Sequence, residues 1–301
     1  MAGGAPVALV SGTFDLLQPG NLHAIRMAGR LASPVIVMVE PDEVAARHCR
    51  KGRPQNPIEA RVEMASRLRD VSSVAGITMA QAASVFSGLK PYVWVTAKDR
   101  RDGGAYEAAL AAGAARIADI ESLAGCFSED VIRAMEEHRT PVALPSGWND
   151  GMDPSRGGAV GPVRVTVNGC FDILHIGHLR FLAEARAMGD SLTVLINSDA
   201  SVARYKGPTR PVFPEGHRAA ALRALEAVDD VVVFQGDNPL EEIRRLRPVI
   251  HVKGGSYEPD RVRQERELVE SWGGRLVCTP LVGGFSTTDF IRTALNLKHG
   301  E

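Results

Sequence analysis

The sequence predicts an α/β protein made of two tandem domains, each a doubly wound parallel sheet. Three observations predict it. One set of motifs recurs at a fixed offset of 157 residues, short apolar runs alternate with helical stretches, and a segment without apolar period separates the two copies.

The repeat pairs Gly12-Thr13-Phe14-Asp15-Leu16-Leu17 with Gly169-Cys170-Phe171-Asp172-Ile173-Leu174. At the same offset Gly20 meets Gly177, Leu22 meets Leu179, Asp42 meets Asp199 and Arg47 meets Arg204. Arg53-Pro54 meets Arg210-Pro211, Arg61 meets Arg218 and Pro91 meets Pro248. One register held over about 80 residues makes two copies of one domain the economical reading. Between the copies, the stretch from Pro145 to Ala159 is rich in Gly, Pro, Ser and Asp, which is linker chemistry. The first domain is placed at 1–143, the linker at 144–160 and the second domain at 161–301.

In the second copy the β-rich runs are Val163–Val167, Leu192–Ile196, Val231–Phe234, Val249–Val252 and Leu276–Cys278. Helical stretches fall at Leu179–Met188, Gly216–Ala227, Pro239–Leu246 and Arg261–Ser271, with Leu179, Leu182, Ala185 and Met188 on one stripe. Apolar strands alternating with helices argue a parallel sheet covered on both faces. Such sheets bind ligands at the carboxyl ends of their strands, near the switch in strand order.

Charge narrows the choice of partner. The 301 residues carry 35 Lys and Arg against 36 Asp and Glu. That balance gives no electrostatic case for nucleic acid or an anionic membrane. Phosphate binding must therefore come from a few placed groups. The four cysteines, Cys49, Cys126, Cys170 and Cys278, are far apart and form no CxxC pair. With no basic leader and no apolar run near the roughly 20 residues of a membrane span, a cytoplasmic protein is expected.

The chemistry concentrates in the second copy. Val163–Val167 is read as a strand that ends at Asn168-Gly169, and Gly177 opens the next helix, where a missing Cβ lets a phosphate approach. His175 and His178 are three apart and face the same way across the first helical turn. A helix N-terminus already favours an anion. Two imidazoles there could donate hydrogen bonds as charge builds on phosphoryl oxygens.

The stretch Asn168-Gly169-Cys170-Phe171-Asp172-Ile173-Leu174-His175-Ile176-Gly177-His178 resembles the HxGH signature of the cytidylyltransferase-like nucleotidyltransferases. Further blocks follow in order: Asn197-Ser198-Asp199, Lys206-Gly207, Arg210-Pro211, Arg218, Val252-Lys253-Gly254-Gly255-Ser256-Tyr257 and Gly284-Phe285-Ser286-Thr287-Thr288. Together they look most like the ADP-heptose synthase branch, across essentially all of 163–295. That resemblance implies a Rossmann-like fold and four catalytic residues: His175, His178, Lys206 and Arg218. It implies nucleotide contacts from Asn168, Gly169, Phe171, Gly177, Lys253, Gly254, Gly255, Ser286, Thr287 and Thr288. Asp172, Asn197, Asp199 and Arg210 would face the acceptor. A lysine suits bridging phosphates and an arginine suits a bidentate phosphate grip. The implied substrates are ATP and a sugar 1-phosphate, most closely D-glycero-β-D-manno-heptose 1-phosphate. Mg²⁺ would ride on the triphosphate, because no dedicated carboxylate cage is visible and no protein metal ligand is assigned. In the family an Asp commonly stands where this chain has Ser256, and Phe285 is bulky, so acceptor identity is the looser part.

Blander readings stand beside these. The two histidines could be ordinary helix-start residues, or could join Cys170 around a metal, although no fourth ligand with usual spacing is present. Asn197-Ser198-Asp199 could be a helix cap, Gly254-Gly255 a turn, and Ser286-Thr287-Thr288 a capping segment. Cytidylyl transfer to glycerol 3-phosphate or phosphoethanolamine is the nearer alternative, and a non-catalytic nucleotide sensor the more distant one.

The first copy has Gln18-Pro19-Gly20-Asn21 where the second has its histidines, and Val95-Thr96-Ala97-Lys98 in place of Val252-Lys253-Gly254-Gly255. Gln and Asn donate hydrogen bonds but cannot become cationic. Pro19 suits a helix start, so the turn is expected to survive without its chemistry. Lys51, Arg53 and Arg61 remain as partial phosphate ligands. The first domain is expected to be catalytically dead and to serve as an internal pseudo-dimer partner, with a further homodimer possible.

Overall fold

The computed structural model describes residues 6–48, 54, 56–97, 114–120, 162–255 and 259–280. The linker expected at 144–160 and the Ser286-Thr287-Thr288 block lie outside the described residues.

Two five-stranded parallel sheets carry the chain, one in each of two compact units. In the first, β1 (Ala8–Gly12), β2 (Val35–Val39), β3 (Ser73–Gly76), β4 (Val93–Ala97) and β5 (Ile117–Ile120) lie in the order β3-β2-β1-β4-β5. In the second, β6 (Arg164–Gly169), β7 (Ser191–Asn197), β8 (Asp230–Phe234), β9 (Ile250–Gly254) and β10 (Arg275–Thr279) lie in the order β10-β9-β6-β7-β8. Read from the opposite edge, the second order is the first. The predicted α/β fold with two doubly wound, Rossmann-like sheets is what forms.

The strands form where branched and apolar residues run together. Every residue of β7 is buried, as a strand covered on both faces requires. Helices α1 (Pro19–Leu31), α2 (Asp42–His48), α3 (Ile58–Ser66) and α4 (Met79–Leu89) belong to the first sheet. Helices α5 (Ile176–Arg186), α6 (Asp199–Lys206), α7 (Glu215–Arg223), α8 (Leu240–Leu246) and α9 (Arg263–Glu270) belong to the second. In that domain α5 packs on β6 and β7, and α7 on β7 and β8. Helices α8 and α9 pack on each other and α9 on β10, closing a core of Leu195, Phe234, Ile243 and Val269. The corresponding cluster of the first domain holds Leu9, Met38, Phe86 and Trp94.

The chain winds from β6 through β7 to β8, then crosses to β9 and β10 on the other side of β6. The switch point therefore lies between the carboxyl ends of β6 and β9, where such sheets open a crevice for ligands. One helix escaped the sequence reading. The stretch Asp199–Lys206 has only Val202 to bury beyond Ser201, so it shows no apolar stripe. Ser198 starts it nonetheless, its Oγ accepting the Ser201 N–H at 3.2 Å. Among the described residues no helix is long and apolar enough to cross a membrane.

Candidate active site

The loop from β6 to α5 builds the site. Phe171 sits in the left-handed region at φ 47°, as does Phe14 at φ 52° in the first domain. Its ring folds back beneath Gly169, where a Cβ would stand 3.0 Å from it, so only glycine ends β6 there without moving the ring. Asp172 then ties the loop down. Its carboxylate accepts the Val212 and Phe213 N–H groups at 3.0 and 2.8 Å and pairs with Arg210 at 2.6 Å.

His175 is the N-cap residue of α5, and His178 lies one turn on, its N–H reaching the His175 carbonyl at 2.9 Å. The imidazoles stack with centroids 3.8 Å apart, and Phe171 flanks His178 at 5.4 Å. Burial pushes His175 down to about 4 from an ordinary 6.5. Burial, then His175 and Lys206, hold His178 well below the ordinary value, against a hydrogen bond with the Ile173 backbone. Both rings are thus neutral at pH 7 and offer N–H donors rather than full charges. An arriving phosphate would raise both values. Lys206 ends α6, and its positive charge lowers both His178 and Cys170. Burial raises the Cys170 thiol, which makes it a poor thiolate ligand. Among the described residues no group of three or more His, Cys, Asp or Glu could hold a metal ion.

Several expected contacts turn inward instead. Arg218 was expected to grip a phosphate, and in the structure its donors turn to the protein. Its guanidinium is fully buried and donates to the carbonyls of Phe213 (2.9 Å), Cys170 (2.8 Å) and Asn197 (2.8 Å) and to the Asp199 carboxylate (2.7 Å). Arg61 repeats this tie at every position, donating to the carbonyls of Asn56, Thr13 and Glu40 and to the Asp42 carboxylate. The same tie thus stands in the domain that has Gln18 and Asn21 at the positions of His175 and His178. Arg61, expected as a partial phosphate ligand, likewise turns its donors to the protein.

The expected acceptor contacts are drawn into this network. Asp199 neutralises Arg218, the Asn197 amide donates to Ser201 Oγ at 3.1 Å, and Asp172 and Arg210 hold each other. A Cβ at Gly254 would meet the Phe181 ring at 3.0 Å, so on its Cβ side the glycine is packed against α5. Gly255, at φ 121°, makes the turn after β9, its N–H donating to Thr279 O at 2.8 Å. Lys253 does reach the crevice, but its ammonium donates to Asn168 Oδ1 at 2.8 Å and Glu265 Oε1 at 2.9 Å. In the second domain Asn168, Gly169 and Lys253 lie at the carboxyl ends of β6 and β9, and Phe171, His175, Gly177 and His178 lie on the loop and helix start that follow β6. Ser286, Thr287 and Thr288 lie outside the described residues, as do Lys51 and Arg53.

Sequence reasoning missed Glu265, His251 and His217. Glu265 is buried four residues before the core residue Val269, a spacing that places an acid on the inner face of α9. His251 pairs with Thr166 Oγ at 2.8 Å inside the sheet, and burial holds it down at about 3. His217 is buried in the first turn of α7 beside Phe213, and neither of its ring nitrogens is hydrogen-bonded.

The cytidylyltransferase-like family model matches residues 9–103 and 166–292. The chain belongs to this family. Both domains of this cytidylyltransferase-like protein match the one model, and the family is one of nucleotidyltransferases. Bifunctional protein HldE of Syntrophotalea carbinolica is 52% identical over 172 residues, 56% of this chain and 34% of that protein. HldE of Geotalea uraniireducens is 52% identical over 127 residues, 42% of this chain and 26% of that protein. HldE of Paramagnetospirillum magneticum is 53% identical over 125 residues, 42% and 25%. The chain thus spans about a third or less of the length of these curated relatives. The resemblance to the superfamily, and within it to the ADP-heptose synthase branch, is borne out.

Proposed function

We propose that the second domain transfers the adenylyl group of ATP to a sugar 1-phosphate of the heptose class, giving an ADP-sugar and pyrophosphate. The observation that carries this reading is the pair of stacked, neutral imidazoles at the start of α5. That pair is a donor site aimed at phosphoryl oxygens, on a helix end that favours an anion. The HldE relatives support the sugar class.

The acceptor's phosphate oxygen attacks the α-phosphorus in line. A new P–O–P bridge forms as the bond from the α-phosphorus to the bridging oxygen of the β-phosphate breaks, and pyrophosphate leaves. A phosphate monoester is already anionic at neutral pH, so no general base is required. Catalysis is positioning and charge stabilisation. His175 and His178 donate to oxygens that gain charge, and Lys206 bridges the phosphates of the two substrates. Mg²⁺ would be carried by the triphosphate. The first domain, with Gln18 and Asn21, contributes no turnover in this reading, and the two domains arose as copies of one unit. The widely spaced cysteines, with Cys170 and Cys278 free, support a cytoplasmic setting.

A panel pairing ATP and CTP with heptose 1-phosphate, glycerol 3-phosphate and phosphoethanolamine, read by pyrophosphate release, tests the reading. ATP with the heptose is the expected pair. CTP with an alcohol phosphate would replace it. Silence with every pair would favour a nucleotide sensor.

A further inference from the structure

The tie from Asn168 through Lys253 to Glu265 spans the switch point. Asn168 stands at the end of β6 and Lys253 near the end of β9, the two strands that flank the crevice. Glu265 reaches them from α9. Lysine and glutamate are both nearly buried, so the charges are matched away from water.

The chemistry of the tie settles which way Asn168 faces. An ammonium only donates, so the carboxamide must turn its oxygen to Lys253. The amide nitrogen then points the other way. No acceptor among the described residues takes its hydrogens, and the side chain is half-buried rather than shut in. The result is a two-hydrogen donor held in one orientation at the mouth of the crevice. The first domain lacks it. Ser11 stands at the Asn168 position there, and its Oγ accepts the Trp94 indole N–H at 3.0 Å. Thr96 stands at the Lys253 position. The buried arginine persists in both domains, whereas this tie belongs to the histidine-bearing one alone.

We propose that Glu265 is a positioning residue for nucleotide binding: through Lys253 it locks the Asn168 carboxamide so that its N–H₂ donates to an oxygen of the bound nucleotide. The proposal rests on the second domain being the nucleotide-binding one.

The test uses the full chain and measures ATP and CTP affinity by calorimetry, alongside KM and kcat where turnover is found. Asn168→Asp keeps the bond to Lys253 but replaces the donors with acceptors. It should weaken binding of the preferred nucleotide about tenfold or more. Glu265→Leu and the charge-free pair Lys253→Met/Glu265→Leu should weaken it similarly, raising KM for the nucleotide while kcat and the acceptor KM stay within about twofold. Glu265→Gln, which keeps an acceptor oxygen, should lose less than about threefold. A purely structural pair would lower thermal stability and leave nucleotide affinity alone. A folded Asn168→Asp or Lys253→Met/Glu265→Leu protein with unchanged affinity would overturn the proposal. Wild-type protein that binds neither nucleotide would overturn it too. Binding that responds as stated, without turnover on any acceptor, would uphold it while the reaction reading fails.

Discussion

His175 and Arg218 both look like phosphate ligands on paper, and the structure separates them by what each side chain is already bonded to. The imidazoles stack on each other at the start of a helix, whereas four of the arginine's N–H donors are committed to the protein. The two should therefore fail differently. His178→Ala removes a donor aimed at developing charge, so kcat should fall about 100-fold or more while ATP affinity changes little. Pyrophosphate release with parallel calorimetry checks this, and an unchanged kcat would remove His178 from the chemistry. Arg218→Ala strands three carbonyls and a carboxylate, so its first effect should be a loss of about 3 kcal/mol of stability, seen in denaturant unfolding. Reduced nucleotide affinity with full stability would restore the phosphate grip. The histidines also set a pH dependence. His175 and His217 are held down at about 4 and His251 at about 3. Above pH 6.5 folded and unfolded chains are both neutral at these sites, and the stability is intact. As pH falls below 6.5 the unfolded chain takes up protons that the folded chain refuses. Each site then removes about 1.4 kcal/mol per pH unit until its folded value is reached. The melting temperature should fall steadily from pH 6.5 to 4.5, less steeply in His251→Leu. A flat profile would contradict the buried, neutral assignment.

At the level of elements, the end of β9 and the helix bearing the histidines are fitted to each other through Gly254 and Phe181. Gly254→Ala should push the Phe181 ring and displace α5, cutting turnover about tenfold. Adding Phe181→Leu, which vacates that space, should recover most of it; a double variant as poor as the single would mean that Gly254 serves a ligand instead. This contact also marks what the sequence could and could not reveal. Strands such as Ser191–Asn197 are legible because burial on both faces makes them continuous apolar runs. The turn from His175 to His178 is legible because its geometry spans one helical turn. Helix α6 is hidden because its start depends on the Ser198 cap and not on apolar period. The inward bonding of Arg218 is hidden because its acceptors lie up to 48 residues away, and a bidentate phosphate grip and a buried tie use the same residue type. Glu265 is one of three acids on a charged helix until its bond to Lys253 is seen.

For the whole molecule, the two domains act as an internal control. They share a strand order, a left-handed Phe14 or Phe171, and a buried arginine with matching acceptors. They differ in the histidines, in the tie between Asn168 and Lys253, and at further buried positions, one of which carries a charge. Glu40 stands where the second domain has Asn197, and its carboxylate accepts the Thr13 hydroxyl at 2.8 Å. A buried carboxylate thus stands there in place of a neutral amide, and at the Asn168 position the first domain has only the Ser11 hydroxyl. Losing the histidines is therefore not the whole of the difference, and restoring them should not restore activity. In a His175→Ala/His178→Ala background, which should itself abolish turnover, Gln18→His and Asn21→His together should leave pyrophosphate release at background. Adding Glu40→Asn should not recover wild-type turnover either, because Ser11 offers a single hydroxyl donor where the second domain has the two N–H donors of Asn168. Turnover recovered by the two histidines alone would mean that the first domain is one step from activity and that the tie between Asn168 and Lys253 is dispensable.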